Sequence, residues 1–191
     1  MYKNNEIEEN KKLIEDYPFL WPVDWNGNKI KDYDYKYTFL DDMPIGWKKR
    51  FGRLLCEDLK KDLKTCNYLD KYSLCQVKEK YGELRWYSNG VPQSSKESEI
   101  ISKYGHISGR VCTQCGKFPV PVINNGWIQP LCKDCYEKFH PETSTKSYED
   151  FIIDDSEFNP VLHLTRFSKD GNEEIFRDTS NIIERMKDVR I

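Results

Sequence analysis

Cys112-Thr-Gln-Cys115-Gly116 and Cys132-Lys-Asp-Cys135 stand sixteen residues apart in this 191-residue chain. Two Cys-x-x-Cys pairs at that spacing can close a tetrahedral shell around one ion. The pattern predicts one structural Zn²⁺ per chain, ligated by Cys112, Cys115, Cys132 and Cys135. Such a site ties folding to metal binding, on the order of 10 kcal/mol, because the ligands must deprotonate and the unfolded chain has no preformed shell. A redox dithiol and a disulfide pair are the competing uses of these thiols. Two pairs at finger spacing, with no thioredoxin-like βαβ pattern around them, argue against both. Seven cysteines, an odd number with four given to metal, fit a reducing cytoplasm.

The residues between the pairs give the finger a shape. Gly116 allows a positive-φ turn that points backbone N–H groups at sulfur. Phe118-Pro-Val-Pro-Val122 and Trp127-Ile-Gln-Pro-Leu131 flank Asn124-Asn-Gly126, a hairpin signal, with Pro119 and Pro121 suited to an edge strand. Cys132, Cys135, Tyr136 and Phe139 then follow helical spacing. Knuckle, hairpin and a helix starting at the second pair is the order of a treble-clef finger, closest to the GATA-like arrangement.

Outside the finger, the chain reads as α+β: an amphipathic helix packed on short antiparallel strands. Trp47, Phe51, Leu54, Leu55, Leu59 and Leu63 form one apolar stripe from about Asp41 to Thr65, with Asp41-Asp42-Met43-Pro44 as its acidic, proline-marked start. Residues 5–16 and 97–107 are further helix candidates. Tyr33, Tyr35, Tyr37 and Phe39 alternate with polar residues, as a half-buried strand does. Tyr72–Tyr87 is extended, either one strand bent at Gly82 or two hairpin strands. Val161–Phe167 and Glu173–Arg177 flank an Asp-Gly turn, and a short charged helix ends the chain. Three parts follow: an N-terminal α+β body at 1–109, the four-cysteine zinc finger at 110–140, and an acidic linker with hairpin and helix at 141–191. The last part has too few apolar residues for its own core and must dock on the body, on another protomer or on a partner.

Asp32-Tyr-Asp-Tyr-Lys-Tyr-Thr-Phe-Leu-Asp-Asp-Met-Pro-Ile-Gly-Trp47, Gln76-Val-Lys-Glu-Lys-Tyr-Gly-Glu-Leu-Arg-Trp-Tyr87 and the finger with Gly126-Trp127 carry a resemblance. Over residues 17–138 the chain resembles uncharacterised small proteins of bacteriophages and prophages that share a C-terminal four-cysteine, treble-clef-like finger. The resemblance implies a mobile-element accessory protein in the cytoplasm of a bacterial host. It supplies no activity.

Composition limits what else the chain does. With 32% charged residues and a mean hydropathy of −0.80, no stretch of about 18 apolar residues exists to span a membrane. The N-terminal residues lack the apolar core of a secretory signal. No catalytic constellation can be assembled. The finger hairpin has no histidine of the kind a His-Asn-His nuclease needs, and a four-cysteine shell leaves no open metal position. Glu79 and Glu83 read as a solvent-facing strand end, and Cys56, Cys66 and Cys75 as small core residues without a partner base. The leading expectation is a non-enzymatic, zinc-stabilised protein that engages a host protein or a small signalling ligand, as a protein counteracting host defence would.

Nucleic acid is the alternative partner. The net charge of −2 gives no global basis for it, but residues 46–87 hold eleven Lys/Arg against six Asp/Glu. Lys78, Lys80, Arg85 and Trp86 interleave cations with an aromatic ring, as a stacking groove does. Residues 142–159 carry six Asp/Glu and one Lys, which reads as a solvated linker.

Overall fold

The computed structural model describes residues 4–24, 26–139, 146–168 and 171–191, the side chains of 4, 5 and 168 excepted. Trp47, Phe51, Leu55, Leu59 and Leu63 recur at every fourth position, and all are buried. At 3.6 residues per turn such a repeat drifts by about 40° per step. The helix corrects this by widening: α2 (Ile45–Trp47) passes into a π-turn (Lys48–Gly52) and then into α3 (Arg53–Thr65). The wide turn brings the stripe back toward the core.

The start of this helix differs from the expectation. Asp41 and Asp42 belong to a separate 3₁₀ turn (Phe39–Asp42), where Asp41 accepts from the Thr38 backbone N–H at 2.6 Å and from its hydroxyl at 3.1 Å. The acidic pair therefore closes the preceding turn, and Pro44 leads directly into α2. The expected strand at Tyr33–Phe39 is also absent. Tyr35 adopts a φ of +59°, and the Tyr33 and Tyr35 rings both pack on Trp21, at 5.2 and 6.0 Å. A positive-φ residue breaks the extended repeat, so the segment pairs with no strand although its aromatic rings keep to one side.

α1 (Asn4–Asp16) lays Leu13 and Ile14 into the same core, and its buried Asn10 donates to the Tyr35 carbonyl at 2.9 Å. β1 (Leu74–Lys80) and β2 (Glu83–Ser88) form a hairpin in which Val77 faces Trp86 and Lys78 faces Arg85. Tyr81 and Gly82 take φ of +54° and +80°, the left-handed pair that a two-residue turn between twisted strands requires. Of the two readings open for Tyr72–Tyr87, the hairpin holds. α4 (Glu97–Ser108) packs on α3 and β2 through buried Tyr104 and Ile107.

The finger sheet has three strands, in the order β4 (Ile128–Pro130), β3 (Val122–Asn124), β5 (Ile152–Asp154), all antiparallel. β3 is therefore central, and the edge-strand expectation is corrected: Pro119 and Pro121 precede the paired residues. The third strand comes from the acidic segment, whose described part, 146–159, is no free linker. Tyr148 is buried in the finger core, and its hydroxyl donates to the Leu131 carbonyl at 2.6 Å. Two acids of this segment have partners in the fold: Glu149 pairs with Lys133, and Asp154 with Ser156 holds the buried Arg110.

β6 (Val161–Ser168) and β7 (Gly171–Asp178) form the expected hairpin, whose two turn residues lie outside the described residues. α6 (Ser180–Lys187) buries Ile182 and Met186 in the main core. Its Arg185 forks onto Asp58 of α3 with both bonds at 2.8 Å, and Asp58 also accepts from the Tyr104 hydroxyl at 2.7 Å. The C-terminal segment thus docks on the body of its own chain.

Candidate metal centre

The knuckle is shaped by its own backbone. Cys112 N–H donates to the Lys117 carbonyl at 2.9 Å, and Gly116 N–H to the Cys112 carbonyl at 3.0 Å. Gly116, at φ +79°, makes the turn that brings the Lys117 carbonyl back to Cys112 N–H. Cys132 immediately precedes α5 (Lys133–Phe139), and Cys135 sits in its first turn, where helix N–H groups favour a thiolate.

These two local structures place all four Sγ atoms within 4.8 Å of one another. Cys132 Sγ lies 3.7 Å from the sulfurs of both Cys112 and Cys115. Four sulfurs about 2.3 Å from a tetrahedral ion stand about 3.8 Å apart, so the cluster has the size of a four-thiolate site. Cys112, Cys132 and Cys135 are buried and Cys115 is half-buried. The donor set and its burial fit a structural metal ion, with Val120, Ile123, Leu131 and Tyr136 packed around it.

Burial pushes the Cys132 thiol up to about 11 and raises that of Cys135 as well. Burial also acts on Cys112, but backbone N–H donors from Cys115, Cys132 and Gln114 outweigh it and bring that thiol below its ordinary value. Without a metal the second pair therefore favours its protons, and a cation must displace them.

The main helix grips this knuckle through three backbone carbonyls. Trp47 Nε1 donates to Val111 O at 2.7 Å, Gly46 N–H to Thr113 O at 2.9 Å, and Arg50 Nε to Gly116 O at 2.7 Å. Arg50 continues to Met186 O at 2.9 Å, which ties the knuckle to α6. In the sequence Arg50 is one of the eleven basic residues of 46–87, and no local pattern marks it for this clamp. The available signal was a glycine in the first turn of a helix, which marks close backbone approach.

The other candidate residues divide between two faces of the β1–β2 hairpin. Lys78 and Arg85 are directly opposed on the outer face, where Lys78 lies over the exposed Tyr87 ring at 5.4 Å. Arg85 pairs with Glu83 at 2.8 Å, and Lys80 lies over Tyr81 at 5.3 Å. Trp86 points to the opposite, inner face, is buried, and donates through Nε1 to the Tyr72 hydroxyl at 3.0 Å. The ring that shares a face with Lys78 and Arg85 is Tyr87.

Glu79 is no solvent-facing acid. Its carboxylate accepts from Gly82 N–H at 2.6 Å and from Trp127 Nε1 at 3.0 Å, bridging two hairpins. Cys56 is fully buried, and burial raises its thiol far above the usual range. Cys66 donates to the Leu63 carbonyl, whereas Cys75 is exposed and not a core residue. His106 contacts the Asn159 carbonyl at 2.7 Å, His163 pairs with Glu174, and His140 lies outside the described residues.

No family model matches the sequence, and neither a curated protein nor a solved structure matches it. The molecule is thus defined by what it contains: a mixed α+β chain with three small antiparallel sheets and a four-cysteine cluster able to hold a metal ion. Among the described residues, no helix is long and apolar enough to cross a membrane.

Proposed function

We propose that this is a non-catalytic, zinc-stabilised binding protein of bacteriophage or prophage origin, acting in the cytoplasm of a bacterial host. The observation that carries the metal part is the 3.7 Å spacing of Cys132 from Cys112 and Cys115 in a buried cluster. Four soft thiolates at tetrahedral spacing select zinc among the abundant divalent ions. A fully ligated zinc has no position for an activated water, which supports a structural role in a GATA-like, treble-clef finger. The clamp of Gly46, Trp47 and Arg50 supports it further, since the metal then orders the junction between finger and body as well as the finger.

The partner is a host protein or a small ligand, in keeping with the resemblance to phage proteins. Its working surface is the exposed aromatic ground between the hairpins, outside the metal centre. A second reading, nucleic-acid binding, draws on the cross-strand pair of Lys78 and Arg85 beside Tyr87. Elemental analysis of the purified chain tests the metal part: close to one zinc per chain is expected, and a folded, metal-free protein with unchanged melting ends it. Affinity capture from host lysate separates the partners. Retention of a protein supports the first reading, and retention of nucleic acid alone supports the second.

A further inference from the structure

The tips of two hairpins, β1–β2 and β3–β4, stand side by side and enclose a cleft of about 470 Å³. That is the size of a small-molecule site. Its walls are Tyr81 and Trp127, which are 68% and 60% exposed. Neither ring contacts another ring among the described residues, so neither is explained by packing. Tyr81 also occupies a left-handed turn position, φ +54°, that asparagine or glycine fills with less strain. Trp127 is anchored, because Glu79 accepts from its Nε1 at 3.0 Å. Two exposed aromatic side chains, one strained and one anchored, line a space together with Ile128 and Asn124.

The charge at the cleft narrows the class of occupant. Two charged side chains line the cleft: the Glu79 carboxylate is engaged by Gly82 N–H and Trp127 Nε1, whereas Lys80, its Nζ 5.3 Å from the Tyr81 ring centroid, is exposed and holds the charge left for a ligand. A flat, polar-edged ring bearing an anion suits the two aromatic rings and Lys80. The rings offer stacking faces, Asn124 and the Glu79 carboxylate offer polar contacts to a base edge, and Lys80 takes the charge. We propose that the cleft between Tyr81 and Trp127 binds a nucleobase whose attached phosphate rests on Lys80. The base can belong to a free nucleotide or to a single strand. In the second case the chain runs on along the outer face of β1 and β2, past Lys78 and Arg85 to Tyr87.

This inference rests on the reading of the molecule as a binding protein, and its test separates the two. The zinc-loaded full chain is titrated with the four nucleoside 5′-monophosphates and, separately, with a short single-stranded oligonucleotide, by calorimetry and tryptophan fluorescence. Zinc content is measured on every sample. Binding of a mononucleotide identifies a free ligand as the source, and binding of the oligonucleotide alone identifies a strand.

In either case Trp127→Ala and Tyr81→Gly should each weaken binding at least about tenfold, as loss of one stacked face does. Lys80→Glu should weaken it and flatten its salt dependence. Tyr81→Gly relieves backbone strain, so its loss of binding cannot be ascribed to unfolding. Absence of binding by both probes to a zinc-replete protein overturns the inference and leaves the metal reading standing. Binding that survives Trp127→Ala and Tyr81→Gly overturns it too, as does a preference for a lysine- or arginine-rich peptide.

Discussion

Gly46 and Gly116 meet backbone to backbone: a Cβ on Gly46 would stand 2.6 Å from the Gly116 nitrogen, and one on Gly116 would stand 2.8 Å from the Gly46 oxygen. The first turn of the main helix therefore lies directly on the cysteine knuckle, closer than any side chain permits. Body and finger are one folding problem at this point. A metal that holds the knuckle also holds the seat of the helix.

Gly46→Ala tests that contact. Its Cβ would lie 2.1 Å from the Cys112 carbonyl oxygen, which is backbone and cannot rotate away. Overpacking of this kind costs about 1–3 kcal/mol, here at the upper end because the neighbour is main chain. Denaturant melts should show the loss, together with faster zinc release to a chelator. Ala at Gly90, which has nothing within 4 Å but a φ of +99°, serves as a control that strains the backbone without touching the knuckle.

Cys132→Ser should abolish stoichiometric zinc and loosen the finger core of Val120, Ile123, Leu131 and Tyr136. Cys56→Ala is the matching control. Cys56 is equally buried but lies in the main core, so its loss should cost about 1 kcal/mol and leave zinc at one per chain. Equal zinc loss in both variants would contradict the assignment of ligands.

The pH dependence of stability should reverse sign with metal. In the zinc-loaded chain the ligands are thiolates, whereas the unfolded chain takes up protons, so stability falls as the solution is acidified. In the chelated chain the Cys132 thiol is raised from 9.0 to about 11. A raised folded value means that the unfolded chain releases its proton first. The contribution is fully present below the ordinary thiol value and is lost as pH rises toward about 11. Melts of the loaded protein from neutral to mildly acidic pH, and of the chelated protein from 9.0 to about 11, check both slopes.

Arg185→Ala should destabilise the chain by about 1–2 kcal/mol, because it leaves the Asp58 carboxylate, which Arg185 shares with the Tyr104 hydroxyl, without its cation. The pair keeps 28% and 20% side-chain exposure, so solvent screening holds the effect below that of a fully buried bridge. A double-mutant cycle with Asp58→Ala should recover a coupling of about 1 kcal/mol. Truncation after Phe139 removes this tie, the Tyr148 plug and two core residues, Ile182 and Met186. That fragment should melt well below the full chain and hold zinc less tightly. A truncated protein with unaltered melting and zinc would show the segment from 141 to be a separable satellite.

The four-cysteine cluster, the stripe from Trp47 to Leu63 and both Asn/Asp-Gly hairpins were legible because each is a local pattern. Metal spacing, helical period and turn chemistry are written over a few consecutive residues, and they leave little choice to the rest of the chain. The expected strand at Tyr33–Phe39 failed for the converse reason: alternation is a weak local signal, and the left-handed backbone at Tyr35 breaks it.

Four features needed distant parts of the chain to meet. Glu79 reached Trp127 across 48 positions, Trp47 reached Val111 across 64, Arg185 reached Asp58 across 127 and Arg50 reached Met186 across 136. Such contacts leave no period in the sequence. A carboxylate at a strand end looks solvated until another hairpin brings an indole N–H to it. An acidic run looks like a linker until Arg110 and a finger strand claim its carbonyls. Local chemistry was enough to announce a metal site, but the clamp behind it and the aromatic cleft beside it exist only where the folded chain crosses itself.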